Sequence, residues 1–436
     1  MKKILISLSL LLMAVITLVS CGDGNRIDQK GEIAIPQEPT IVGIKSVPGG
    51  AVIKVSIPDD PNLKGVVATY QRNGATVESR ISRYLDTLVV EGYADENEHD
   101  VVIRSFNAND DKSEGQTVKI TPLVAPVKTA KFEAFESFGG IKIRITDNPT
   151  LAKLALVVQC DQTNPDQDLA YDQRKWKDVS TFFTESNSVV LTRRGLEAVP
   201  TVFAFHFRDD FGNVSETQLI KLTPKEEVAL NKKLCKYYPV DDDNFKNDTG
   251  GGGVNALFDG VYNGGGKFFL AAKGNPIPTW LTIDLGQDAS ISRIATKPRW
   301  DYMPFQSGNV REWEFWGTDV DPRQDLKSNP AKKEDADYQS RHGFSRGWFM
   351  IAKGEQYKPS GYAPDGTVDG WTSEDREYYL NSTEYECDNT NPLTPRAFDK
   401  IRYLRIVVVN TFESWQYKQT SGGWFIGEVS PYGQIY

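Results

Sequence analysis

The chain has 436 residues, 39% hydrophobic and 25% charged, with 36 Gly and 23 Pro among 18 Tyr, 21 Phe and 9 Trp. That length exceeds one core and suggests two to four domains, and the composition is turn-rich and globular, which excludes bulk disorder. The net charge of -9 argues against nucleic acid as a partner, and His99, His206 and His342 are too scattered for a zincin-like metal site or a Ser-His-Asp triad.

Lys2 and Lys3 open a basic segment, and residues 4–19 form an apolar run of secretory length, shorter than most membrane-spanning helices. The run ends in Leu18-Val19-Ser20-Cys21, which resembles a bacterial lipobox. The resemblance implies a signal over residues 1–20 and acylation of Cys21 as the first mature residue. No other stretch is long and apolar enough to span a bilayer, so the lipid is the expected anchor and residues 21–35 read as a flexible tether. Three cysteines remain: Cys160 ends an apolar run and is expected in a core, whereas Cys235 and Cys387 could pair or stay free.

An internal repeat follows. Pro48-Gly49-Gly50-Ala51-Val52-Ile53-Lys54-Val55 has a counterpart in Phe138-Gly139-Gly140-Ile141-Lys142-Ile143-Arg144-Ile145. In both copies Gly-Gly opens an alternating strand, and a second strand comes after a Pro-bearing turn, at 66–71 and 154–159. Both copies end on a strand, an Asp/Asn turn, another strand and a closing Pro, Pro122 or Pro224. A repeat of this kind is the pattern of tandem all-β sandwiches, each closing its own core. Residues 36–122 and 125–224 therefore read as two modules that resemble immunoglobulin-like or fibronectin type III domains. Asp209, Asp210 and Asn213 are read as hairpin formers, His206 as a solvent-facing strand residue, and both modules as spacers.

Residues 225–254 read as a linker, charged and modestly helical at first, then a glycine-rich loop. Eight of the nine tryptophans lie beyond residue 235. Trp280 and Trp313, alternating with Leu, Ile and Phe, are expected in the core, and Trp348 and Trp371 in a small core of their own within the long stretch between Thr318 and Arg402.

From residue 255 a series of motifs appears in order: Asn255-Ala256-Leu257-Phe258-Asp259-Gly260, Trp280-Leu281-Thr282-Ile283-Asp284-Leu285-Gly286, Arg299-Trp300, Arg311-Glu312-Trp313-Glu314-Phe315-Trp316, Arg402-Tyr403-Leu404-Arg405-Ile406 and Ile426-Gly427-Glu428-Val429. The order resembles the discoidin, or coagulation factor 5/8 type C, module, which implies a galactose-binding-like jelly-roll sandwich over residues 255–436. The expected architecture is all-β, with two tandem sandwiches ahead of that jelly roll. The resemblance also implies a structural Ca2+ near Asp259 and Glu428.

Lipid anchor, two sandwiches and discoidin-like domain together resemble Bacteroidota lipoproteins of polysaccharide-utilisation systems. That implies a non-catalytic protein at the outer membrane, on the cell surface, that captures an oligo- or polysaccharide beside a glycan-import complex. An exposed aromatic ring can stack on the C–H face of a sugar while Arg, Asn and Asp groups bond its hydroxyls. The loop residues Arg299, Trp300, Tyr302, Phe412 and Trp415 are the candidates. A cell-adhesion or protein-binding module remains open. So does a carbohydrate-active enzyme, which needs two carboxylates in one cleft.

Overall fold

The computed structural model describes residues 33–436 except 247, 262–267, 301–303, 325–329, 364–369, 382, 388–389 and 395. Cys21 and Tyr302 lie outside the described residues. Among the described residues no helix is long and apolar enough to cross a membrane.

The first module packs a three-stranded sheet (Thr40–Val47, Gly50–Ser56, Thr87–Glu91) on a four-stranded one (Ala75–Ser82, Gly65–Arg72, His99–Phe106, Gln116–Ile120), all pairs antiparallel. The second repeats the plan. Val189–Arg194, Gly140–Asp147 and Lys131–Ser137 form its three-stranded sheet, and Trp176–Thr184, Leu154–Asp161, Thr201–Asp209 and Gln218–Leu222 its four-stranded one. Alternation drives each sandwich: Ile141, Ile143 and Ile145 of one strand point at Leu154, Leu156, Phe203, Phe205 and Phe207 of the facing sheet. The turns expected from Asp and Asn are present, with Asp209 Oδ1 accepting from the amides of Phe211 at 2.9 Å and Asn213 at 2.8 Å. His206 faces away from the core that holds Phe205 and Phe207, as expected, and is half-buried there beside Val157 of the neighbouring strand.

The C-terminal sandwich is built on an eight-stranded antiparallel sheet. Its spine is the strand Thr279–Lys297, which bends near Gly286, at φ +71°, and changes partners there. Its first half pairs with Ile401–Thr411 and its second with Glu428–Ile435, while Val310–Thr318 and Phe349–Glu355 extend the sheet beyond Ile401–Thr411. Trp313, Leu281, Ile283, Phe315, Leu404, Ile406 and Trp424 fill the main core. The result is an antiparallel β-sandwich, of the expected all-β class.

Residues 225–254 are not a linker in space. Val228–Ala229 pairs with Tyr432 and Gly433, Lys236–Tyr237 pairs with Ile283 and Asp284, and Asp248–Gly251 pairs with Phe269–Ala271. Among its described residues Lys232–Leu234 forms one 3-10 turn and a second, Val254–Leu257, begins at its end. Open sheet edges capture apolar residues such as Leu230 that a local reading leaves in solvent. Cys235 and Cys387 are buried in this core as thiols and are not bridged by a disulfide.

Trp348 is buried with Phe344, Trp316 and Val407 in a second cluster, which Trp280 flanks. The expected small core thus holds for Trp348, shared with the sheet residues Trp316 and Val407, but not for Trp371, which is 41% exposed; the cluster closes over Arg405. The Arg405 guanidinium is fully buried, lies 4.5 Å from the Phe344 ring and 4.4 Å from Trp348, and donates to Asp242 at 2.7 and 3.0 Å.

Candidate functional site

One end of the C-terminal sandwich gathers aromatic residues from separate loops. Helix Phe412–Tyr417 starts where the strand Ile401–Thr411 ends, and Thr411 caps it by accepting from the Ser414 amide at 3.1 Å. Thr372 caps helix Ser373–Leu380 in the same way, accepting from the Asp375 amide at 3.1 Å. Between the helices, Phe305, Tyr379 and Phe412 form a fully buried edge-to-face cluster with centroids 5.5 and 5.6 Å apart. The Tyr379 hydroxyl donates to the Arg299 carbonyl at 3.2 Å and contacts Asn309 Oδ1, tying the loop after Lys297 to the helix.

Trp415 stands on this base, half-buried. The Arg311 guanidinium covers its ring at 4.2 Å, and Tyr362 approaches at 5.1 Å between centroids, tilted by 53°. Arg311, only 7% exposed, donates through Nη1 to Glu312 and through Nη2 to Glu355. The two carboxylates are opposite each other in register on neighbouring strands and hold the guanidinium against the indole. Tyr357 is exposed and lies tilted against Tyr378 at 4.9 Å between centroids, and Tyr417, at the end of the Trp415 helix, is exposed. An open groove of about 340 Å³, lined by Glu312, Trp313, Glu314, Lys353, Gly354, Glu355 and Val409, continues from the Arg311 pair along the sheet.

The predicted residues fare differently. Trp415 stands at this end, and Trp300 is 37% exposed on the loop tied to it. Arg299 lies flat on Phe268 at 3.9 Å, so its guanidinium packs the loop. Phe412 is fully buried and presents no face to a ligand, a correction to its expected place on the rim. It is the first residue of a capped helix, and its direction is set by the cluster beneath it. Sequence reasoning missed Arg311, Glu355, Tyr357 and Tyr362. A signal was present for Arg311, which alternates in step with Trp313 and Phe315 toward the inside of a strand, where a charge must be paired.

Asp259 and Glu428 are brought near each other, but not as a cation cage. Glu428 is 3% exposed and accepts from Lys232 Nζ at 2.6 Å and from the Gly260 amide at 3.1 Å. Burial pushes the Glu428 carboxyl up and the ammonium pulls it back down. Exposed Asp259 accepts from the Val261 amide at 2.8 Å, an ordinary turn. These two side chains are not arranged as a divalent-ion pair: the one buried carboxylate already faces a cation, and Asp259 is engaged in its turn.

Three family models match the chain, each described as a domain of unknown function: DUF4959 over residues 36–122, DUF5126 over 120–233 and DUF5000 over 258–433. No curated protein matches. Among solved structures, a SusE-like protein is 25% identical, with a TM-score of 0.41, covering 71% of this chain and 100% of its own. The third carbohydrate-binding module, of family 32, from a Clostridium perfringens family 31 glycoside hydrolase is 14% identical, with a TM-score of 0.27, covering 47% and 95%. The C-terminal domain of a Bacteroides fragilis chitobiase is 14% identical, with a TM-score of 0.28, covering 48% and 99%.

Proposed function

We propose that this protein binds glycans without transforming them, at the aromatic end of its C-terminal sandwich, with Trp415 as the main platform and Trp300 as an outlying one. The observation that carries this reading is the Arg311 guanidinium, pinned by Glu312 and Glu355 against one face of the half-exposed Trp415 ring at 4.2 Å. A ring held in one plane loses little freedom when a pyranose stacks on it, and adjacent carboxylates accept from sugar hydroxyls. The groove carries Glu312, Glu314 and Glu355 against Lys353, and Arg311 is already neutralised. That charge favours neutral glycans over sulfated or uronate-bearing ones. In this reading acylated Cys21 anchors the chain at the outer membrane, facing outward beside a glycan-import complex, and the first two sandwiches are a spacer.

The test is a glycan array followed by affinity electrophoresis. Wild-type protein is expected to retain neutral polysaccharide. Trp415→Ala is expected to weaken retention roughly ten-fold while lowering the melting temperature less than Phe412→Ala does. Wild-type protein that retains no glycan overturns the reading. A protein-binding role would then move ahead, drawing on Tyr84 and Leu85, which stand side by side at 88% and 56% exposure on the first sandwich.

A further inference from the structure

The segment after the second sandwich places a lysine where similar modules are expected to hold a metal. Val228–Ala229 and Lys236–Tyr237 are each stitched to a strand of the last sandwich, and Leu230 donates its amide to the Pro431 carbonyl at 3.0 Å. Between these stitches Asn231 Oδ1 accepts from the Lys233 amide at 3.2 Å and starts the 3-10 turn Lys232–Leu234. The turn sets Lys232 over Glu428. Its ammonium donates to Glu428 Oε1 at 2.6 Å and to Ser430 Oγ at 3.2 Å, and the Gly260 amide donates to both Glu428 oxygens at 3.1 and 3.3 Å. The Glu428 side chain is 4% exposed and the Lys232 side chain 26%.

A calcium ion needs six to eight oxygens at roughly 2.3–2.6 Å. On this carboxylate it would share an oxygen with an ammonium, two cations a few ångströms apart in a poorly solvated place. Removing the lysine leaves a buried carboxylate without its counter-charge, a strongly destabilising loss.

We propose that Lys232 is a built-in cation: it neutralises Glu428 in place of a divalent metal, so the C-terminal sandwich is stable without one. The lysine belongs to the segment that enters from the second sandwich, where Glu227 contacts Arg194, Ser292 and Arg293. The counter-charge of the last domain is therefore delivered by the chain that joins it to its neighbour.

The experiment uses the full mature chain. Calorimetric titration with CaCl2 is expected to give no binding heat, and millimolar calcium or EDTA is expected to leave the wild-type melting temperature unchanged. Lys232→Met should lower it by roughly 5 °C or more, and adding Glu428→Gln to that variant should return part of the loss, because the stranded charge is gone. Stoichiometric calcium binding by the wild type overturns the proposal. A Lys232→Met protein as stable as the wild type does so as well. Because the calcium titration needs no substitution, a variant that fails to fold leaves the test intact.

Discussion

At the scale of single residues, buried charges in this chain are held by specific partners, and each has a measurable consequence. Asp243 illustrates this. It accepts from Thr282 Oγ at 2.8 Å and from the amides of Thr282 and Val240 at 3.1 and 3.2 Å, and lies 3.4 Å from Arg405. Burial outweighs these partners and pushes its carboxyl up from 3.8 to about 6. A folded-state value above the unfolded one means that the native protein takes up a proton the unfolded chain lacks. Stability contributed by this group therefore rises as pH falls through about 6 and levels off below the unfolded value near 3.8. The swing is up to about 3 kcal/mol. Asp243→Asn is expected to flatten the rise in melting temperature between pH 7.5 and 5, read by scanning fluorimetry against the wild type. An identical slope in both proteins would remove Asp243 as its source.

At the scale of elements, the Gly-Gly pair that opens the repeat has one physical reason in both copies. The first glycine is left-handed, Gly49 at φ +68° and Gly139 at +62°. The second faces a neighbouring strand so closely that a Cβ would meet the Val90 carbonyl oxygen at 1.9 Å from Gly50, and that of Arg193 at 1.8 Å from Gly140. Gly50→Ala and Gly140→Ala should each cost about 1–3 kcal/mol or more in their own sandwich, measured by denaturant unfolding. Gly43→Ala, with open space around its Cβ, should be near neutral. Equal costs at all three would show that backbone entropy, not the close approach, selects glycine.

At the scale of the whole molecule, the three sandwiches meet in packed junctions. Asn213 Nδ2 donates to the Gly92 carbonyl at 3.0 Å and Asn73 Nδ2 to that of Phe211 at 3.0 Å, while the Arg72 guanidinium lies 4.7 Å from the Phe211 ring, so a hairpin of the second sandwich is bolted to the first. At the other junction Lys142 Nζ donates to Thr390 Oγ1 at 2.7 Å, Arg194 to Glu386 at 2.6 Å and to Glu227, and Phe138 packs on Phe398 at 5.5 Å. Glu227 is the hub of this junction. Replacing it with alanine removes the buried carboxylate that Arg194 and Arg293 share, leaving them only their exposed partners Glu386 and Glu384, and should split the unfolding of the second and third sandwiches into separate calorimetric transitions. An unsplit endotherm would place the coupling in Phe138 and Lys142 instead.

The sequence alone determined the all-β class, the repeat and the order of the sandwiches, because alternation, turn residues and closing prolines are local signals with period two. It marked Trp415 by the same logic, as an aromatic residue just past a strand. It misjudged Phe412 three positions away, since the face a helix residue presents depends on which cluster caps the helix, here Phe305 and Tyr379 from distant segments. Lys232 reads as one charge in a charged stretch, and only its docking beside a strand that comes 196 residues later makes it the partner of Glu428. Arg311, Glu355 and Tyr362 likewise become one assembly only when strands and an inserted loop converge. What the tertiary structure decided are the pairings, because burial and register, not spacing along the chain, choose which charge or ring stands beside which.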